Sequence, residues 1–297
     1  MRGDGVTTRS DLIAGAFRWA CLAELDAPKP GNVHVFADGH RMTAAEFAAS
    51  ADAAAPHLSA AHAPVGTRIL RAVEATIETV GSNTNLGIVL LCAPLATAAE
   101  NDKSELRASL TDVLQSLDAN DAELAYRAIA LAAPAGLGRS ARHDVFAPAT
   151  VSLLDAMAEA SDRDRVAAQY VTNFSDIFEI GLPLFEQAVR RYADLRWATL
   201  ATYLEFLSAF PDTHIVRKCG ADSARKTRDT ATLFQRSLHA RQHPDTLLPE
   251  LLAWDAALKT NGINPGTSAD LTVATLFASR LKADLLDAAL PRQHNSD

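Results

Sequence analysis

An all-α fold, built as a single large helical domain, is what this chain of 297 residues predicts, and three observations carry that expectation. Alanine accounts for 58 residues against 14 Gly and 13 Pro, and alanine gives up no side-chain entropy on entering a helix. Apolar residues recur at spacings of three and four nearly throughout. No alternating run of β-branched residues bounded by turns occurs, so no sheet is expected.

The elements follow in order. Ser10 is placed to cap a first helix running to about Asp26, with Leu12, Ile13, Ala16, Ala20 and Ala23 on one face, and Pro28 and Pro30 stop it. Thr43 caps the next, over 44–55, with Pro56 beyond it. A third covers 65–80, where Ile69, Val73, Ile77 and Val80 make an apolar stripe, and Gly81 ends it. Further helices are expected at 86–100, 106–117, 121–132, 149–160, 164–181 and 184–209, then at 221–240, 246–260 and 269–289. No repeat, low-complexity block or Gly/Ser linker interrupts the pattern. One domain over 9–290 with frayed ends at 1–8 and 291–297 is expected; two bundles sharing a cleft is the other arrangement.

Charge and cysteine use exclude several classes. Lys and Arg number 28 and Asp and Glu 36, a net charge of −8, which opposes the phosphate neutralisation that nucleic-acid binding needs. Three scattered cysteines, Cys21, Cys92 and Cys219, make neither a disulfide framework nor a CxxC metal knuckle. Residues 1–11 lack the apolar core of a secretory signal. The longest apolar stretch, 88–99, contains Pro94 and is shorter than the roughly 20 residues of a membrane span. A cytoplasmic protein with no membrane or nucleic-acid partner is expected, its apolar helices leaving a homodimer open.

Polar residues gather in the breaks between helices. In Lys29-Pro30-Gly31-Asn32-Val33-His34, followed by Asp38-Gly39-His40, a tight turn presents Lys29, Asn32 and His34 from a constrained backbone. Glu24 lies in the last turn of the preceding helix, where the dipole disfavours a carboxylate by roughly 0.3–1 kcal/mol. A cation beside it, Lys29 or a metal, resolves the conflict; simple exposure would make it small. In Gly81-Ser82-Asn83-Thr84-Asn85-Leu86-Gly87 the start of an apolar helix offers unpaired N–H groups to an anion, with plain capping by Ser82 or Thr84 the alternative. Asp212-Thr213-His214 leads to Arg217, Lys218, Cys219 and Gly220, and residues 217–228 set five cations against Asp222. That run suits a polyphosphate or a solvated helix face. Asn261 to Asp270 opens the last helix, where Ser268 is placed to cap and Asp270 suits the dipole. A fifth, weaker element is Gly136-Leu137-Gly138-Arg139 with Arg142-His143-Asp144, of which Arg142 to Asp144, taken singly, read as a surface turn. HExxH, GxSxG and a GxGxxG after a strand are absent from the sequence, and His239 and His243 read as a surface pair.

Together these breaks resemble the triphosphoribosyl-dephospho-CoA synthase family. The matching segments are Lys29-Pro-Gly-Asn-Val with Asp38-Gly-His40, Gly81-Ser-Asn-Thr-Asn-Leu-Gly87, Asp212-Thr-His-Ile with Arg217-Lys-Cys-Gly220, and Asn264-Pro-Gly-Thr-Ser-Ala-Asp270. Two positions depart from the family pattern. Asn85 and Leu86 stand where a His and a cation are common, and His40-Arg41-Met42 replaces a His-x-Asp-Met pattern. Both changes fall where substrate would be handled, so the acceptor is the open question.

The resemblance implies an active-site cleft formed by the inter-helix loops. There ATP is cut at its N-glycosidic bond, adenine leaves, and the 5-triphosphoribosyl group moves to an acceptor hydroxyl, that of 3′-dephospho-CoA in the family. Glu24, Glu74 and Asp270 are then the carboxylates for an oxocarbenium-like transition state. Lys29, Gly31, Asn32, Ser82, Asn83, Thr84, His214, Arg217, Lys218, Gly220, Asn264 and Ser268 hold the nucleotide. Mg²⁺ is the implied cofactor, with Glu24, Glu74, Asp212 or Asp270 holding it. On these assignments Asp270→Asn or Lys218→Ala lowers turnover at least about tenfold, and Lys29, Asn83, Lys218 and Asp270 meet around one cavity. The same donor chemistry on a ribitol hydroxyl of a tetrahydromethanopterin-type carrier is the alternative. So is a helical nucleotide-binding protein without catalysis. Hydrolysis of an ADP-ribose bond at a di-magnesium centre ranks below both, since the sequence has no DDxxD-like cluster.

Overall fold

The computed structural model describes residues 8–39, 42–101, 105–134, 138–139, 142–241 and 243–289. The expected frayed ends, all but Thr8, lie outside the described residues, as do His40, Arg41 and Gly136. Among the described residues the chain is helical, with no strand and two isolated bridges, His34 to Ala37 and Gly39 to Met42.

Local chemistry sets most helix starts. α1 (Arg9–Leu25) opens on a capping box in which Thr8 accepts from Asp11 N–H and Asp11 accepts from Thr8 N–H. Thr8 is therefore the cap rather than Ser10, because the reciprocal pair satisfies two orphan donors. α2 (Ala44–Leu58) has the same device in Thr43 and Glu46. It runs past Pro56, held by the fully buried Leu58 and the Ser59 N–H bond to Ala55. α3 (Val65–Val80) ends at Gly81 with φ 75°. α4 (Leu86–Ala99) and α5 (Leu106–Ser116) follow, then α6 (Ala119–Ala132), capped by Asp118. α7 (Leu153–Ala160) starts later than expected because Ser152 caps it, accepting from Asp155 N–H.

The long C-terminal helices are more broken than their periodicity implies. The 164–181 stretch divides into α8 (Arg165–Val171) and a π-helical turn over Asp176–Gly181, with Asn173 and Phe174 between them at φ 51° and 55°. Buried Asp176 accepts from Arg165 at 2.6 and 2.7 Å and from Gln169 at 2.6 Å; satisfying that carboxylate outweighs helix continuity. The 184–209 stretch breaks at Ala193, φ 50°, into α9 (Leu182–Tyr192) and α10 (Leu195–Ala209), the latter capped by Asp194. α11 (Thr213–Cys219) occupies a segment read from sequence as loop; its seven residues are too few and too charged to show a period. α12 (Ala221–Ala240) matches expectation, a 3₁₀ turn over Pro244–Leu247 precedes α13 (Leu248–Thr260), and α14 (Gly266–Ala289) starts three residues early.

α4 is apolar on every side and buried, as a central helix must be. It packs on α3, α5 and α14, while α14 also packs on α1 and α10. The buried residues of these helices form one contiguous core. Among the described residues no helix is long and apolar enough to cross a membrane. Cys21, Cys92 and Cys219 are free thiols.

The connection between α1 and α2 is fastened onto α13. Asp255, 2% exposed, accepts from Gly31 N–H at 2.8 Å and Lys259 Nζ at 2.9 Å and lies 3.3 Å from His34 Nε2. Burial lowers His34 below its ordinary imidazole value, with Asp255 opposing and Lys259 adding to the shift. Neither ring nitrogen has an aligned hydrogen bond among the described residues, which suits a neutral ring. The unfolded chain therefore binds a proton, at an ordinary pKa of about 6.5, more readily than the folded chain does. The stability this represents is complete above about pH 6.5 and falls as the pH drops below it. Urea unfolding of the wild type and His34→Asn at pH 7 and pH 5 is expected to show the smaller acid loss in the variant; equal losses would refute it.

Candidate active site

The starts of α4 and α14 and the end of α1 meet, and two glycines make the meeting possible. A Cβ on Gly87, in the first turn of α4, would stand 2.0 Å from Asp270 Oδ2 and 2.5 Å from Asp270 Cγ. Only a residue without a side chain lets the Asp270 carboxyl settle over the start of α4. A Cβ on Gly266 would likewise stand 2.3 Å from His214 Nδ1. Polar bonds fix the rest. Thr267 Oγ1 accepts from His214 N–H at 3.1 Å and lies 3.0 Å from Thr213 Oγ1. Asn32 Nδ2 donates to Asn264 Oδ1 at 2.9 Å. Asn83 Oδ1 accepts from Leu86 N–H at 3.1 Å, and Thr84 Oγ1 donates to Ser50 Oγ at 2.6 Å. The N-cap position of α4 is Asn85, whose side chain makes no capping bond; the first N–H of the helix is met by Asn83 rather than by Ser82 or Thr84.

Glu24 is buried and takes Lys29 as its cation. Lys29 Nζ lies 2.8 Å from Glu24 Oε1 and donates to Val33 O at 2.6 Å, with both side chains buried. Burial pushes the Glu24 carboxyl up and the Lys29 ammonium down, and their mutual attraction opposes both shifts. Glu24 Oε2 has no hydrogen-bond partner among the described residues.

These groups border a cavity of about 770 Å³, within the range of roughly 300–1,000 Å³ usual for small-molecule sites. Of the residues singled out in the sequence, Glu24, Asn32, Asn83, Thr84, His214, Arg217, Asn264 and Asp270 line it. Lys29, Gly31, Asp212 and Ser268 are buried and support this wall without lining it. Asp212 cannot serve as a metal ligand in this arrangement: Oδ1 accepts from Ile215 N–H, and Oδ2 accepts from both the N–H and hydroxyl of Ser268. Ser268 is accordingly a lock between α11 and α14 rather than the α14 cap.

Four expected site residues fall elsewhere. Glu74 pairs with Arg71 at 2.9 Å on the outer side of α3. Ser82 and Gly220 occupy exposed turns, and Lys218 is exposed in the last turn of α11, so a turnover loss in Lys218→Ala has no structural basis. Adjacent helical residues point about 100° apart, which is why Arg217 reaches the cavity and Lys218 does not.

The part of the lining contributed between α6 and α8 was largely illegible in the sequence. Gly138 and Arg139 of the weaker fifth break, and His143 and Asp144, whose segment read as a surface turn, line the cavity with Tyr126, Glu159, Arg163 and Asp164. Asp164 caps α8 and pairs with Arg217 at 3.0 Å, a link no local motif announces. Burial, then the carboxylates of Asp212, Glu24 and Asp164, push Asp270 well above its ordinary value, with Arg217 opposing. Among the described residues no three His, Cys, Asp or Glu side chains come together as a metal cage.

A family model described as CitG, ATP:dephospho-CoA triphosphoribosyl transferase, matches residues 10–288. The chain belongs to this family. It is a transferase in which all four matching breaks fall within the family span. A crystal structure from Archaeoglobus fulgidus, provisionally named a triphosphoribosyl-dephospho-CoA synthase, is similar in fold with a TM-score of 0.62 and 24% sequence identity. The likeness covers 78% of this chain and 96% of that one. No curated protein matches the chain in sequence.

Proposed function

We propose that the chain moves the 5-triphosphoribosyl group of ATP to an acceptor hydroxyl and releases adenine, with 3′-dephospho-CoA as the acceptor the family implies. The observation that carries this reading is the approach of Asp270 to Gly87 on the same cavity that Glu24 borders. Cleaving the N-glycosidic bond develops positive charge at C1′, and a preplaced carboxylate stabilises it without reorganising. Glu24 Oε2, buried and unpartnered, is suited to that charge or to the acceptor proton. Arg217, His214 and the start of α4 suit the triphosphate.

Magnesium fits the chemistry of this wall. Asp270 faces the fields of three other carboxylates, an excess of negative charge that a dication relieves. Magnesium in nucleotide sites takes one or two carboxylates plus substrate phosphates rather than a protein cage. Asp270 and Glu24 would hold it, and bound there it would neutralise charge on the triphosphate.

A second acceptor has support in one observation. Leu86, where the resemblance places a cation, lines the cavity, while Asn85 turns inward to Thr76 Oγ1 at 3.1 Å. An apolar residue at that position favours an acceptor with less negative charge than dephospho-CoA, such as a ribitol hydroxyl on a pterin-type carrier. Chromatographic measurement of adenine released from MgATP with each acceptor separates the two. Release with neither acceptor, in protein that binds MgATP, would refute the transfer reaction.

Gly87→Ala provides a sharper check of the geometry. Alanine favours the helix by about 0.8–1.0 kcal/mol, yet its Cβ displaces the Asp270 carboxyl. Adenine release is expected to fall about 10²-fold or more, with helical content retained by circular dichroism. Unchanged turnover would show that the Asp270 position is not used.

A further inference from the structure

The α6–α8 side of the cavity has a different chemistry from the wall that bears Glu24 and Asp270. Beside the charged Arg139, Asp144, Glu159 and Arg163 it presents Ile129, Leu153, Met157 and Val166, and Tyr126 borders the same cavity. Tyr126 is 4% exposed, and its hydroxyl has no hydrogen-bond partner among the described residues. Buried tyrosine hydroxyls ordinarily have one, because a polar group left unpaired is costly. Tyr126 and Ile129 are three residues apart on α6 and so share one helix face. Burial, then the acidic neighbours Asp144 and Glu123, raise the phenol above its ordinary value, so it remains a proton donor at neutral pH.

We propose that this wall is a purine-base subsite, in which Tyr126 Oη donates a hydrogen bond to a ring nitrogen of the base and the apolar side chains cover its faces. A purine has flat apolar faces and acceptor nitrogens on its edge, which matches apolar side chains with the unpartnered Tyr126 hydroxyl as the donor. A pantetheine-like arm matches it poorly, because each of its amides needs both a donor and an acceptor. Met157 adds a polarisable sulfur of the kind that packs well on aromatic rings. The base has two sources under the proposed reaction, on which its role rests: the adenine of ATP, or the adenine of a nucleotide acceptor.

Calorimetric titration of the full chain tests the subsite without requiring turnover. Wild type and Tyr126→Phe are titrated with MgATP, with dephospho-CoA and with magnesium tripolyphosphate, which has no base. The variant is expected to bind one base-bearing titrant about fivefold or more weakly, as loss of one hydrogen bond implies, and tripolyphosphate unchanged. The titrant affected identifies the source of the base. Met157→Trp, which fills the slot from another helix, is expected to weaken the same titrant. Affinities for both base-bearing titrants within twofold of wild type in both variants would overturn the subsite. So would equal weakening of tripolyphosphate, or a wild type that binds neither nucleotide. Binding of MgATP that Tyr126→Phe weakens, in protein that releases no adenine with any acceptor, would refute the transfer reaction and leave the subsite standing.

Discussion

Asp270→Asn is expected to lower kcat by about 10²–10³-fold, the usual cost of removing one group aimed at transition-state charge, while making the protein no less stable. The second half of that expectation follows from the sign of the pKa shift. Burial and the carboxylates of Asp212, Glu24 and Asp164 hold Asp270 well above its ordinary value. An acid whose pKa is raised on folding opposes folding at every pH above its unfolded pKa, near 3.9. Asparagine has nearly the same shape and no charge, so the variant escapes that penalty. A thermal midpoint equal to or above wild type, beside the loss of adenine release, is the expected pair of measurements at pH 7. Loss of both activity and stability would instead make Asp270 a structural residue, and retained activity would remove it from the site.

Lys29→Met is expected to destabilise the fold by about 3–5 kcal/mol, because it leaves a buried carboxylate without its cation. Against a typical total of about 5–15 kcal/mol, that is a large share. Lys29 is 0% exposed and Glu24 1%, so no solvent takes over the charge. Lys29 also donates to Val33 O, so the turn that carries Asn32 to the cavity loosens with it. Adding Glu24→Gln to Lys29→Met is expected to recover much of the lost stability, since the stranded charge goes too. Urea denaturation of the single and double variants reads this directly. A cost below about 1 kcal/mol in Lys29→Met would mean that the pair is not closed in solution.

The site was partly legible because its signals are local. The dipole conflict at Glu24 is readable from its place in the last turn of α1, and of its two resolutions, exposure or a cation, the fold takes the second, with Lys29 at 2.8 Å. Gly87 and Gly266 stand out in sequence as breaks, but their partners, Asp270 and His214, lie 183 and 52 residues away. No spacing rule connects residues that far apart. Asp212 illustrates the opposite error: a buried acid beside a cationic run suggests a ligand site, yet its oxygens are used by Ser268 and Ile215 N–H groups. Tyr126, Glu159 and Asp164 gave no signal because each sits in, or at the end of, an ordinary amphipathic helix.

Composition and period alone determined that this chain is helical, where most helices lie, and which breaks carry unusual polar chemistry. Those properties depend on side-chain entropy, backbone donors and hydrophobic spacing within a few turns of each residue. Tertiary structure decided which breaks share a cavity, which acids are already bonded, and that the α6–α8 wall belongs to the site. It also divided 164–181 and 184–209 into shorter pieces. These outcomes turn on satisfying buried charges, Asp176 with Arg165 and Gln169 and, across 56 and 224 residues of chain, Asp212 with Ser268 and Asp255 with Gly31, and burial exists only once the helices have packed.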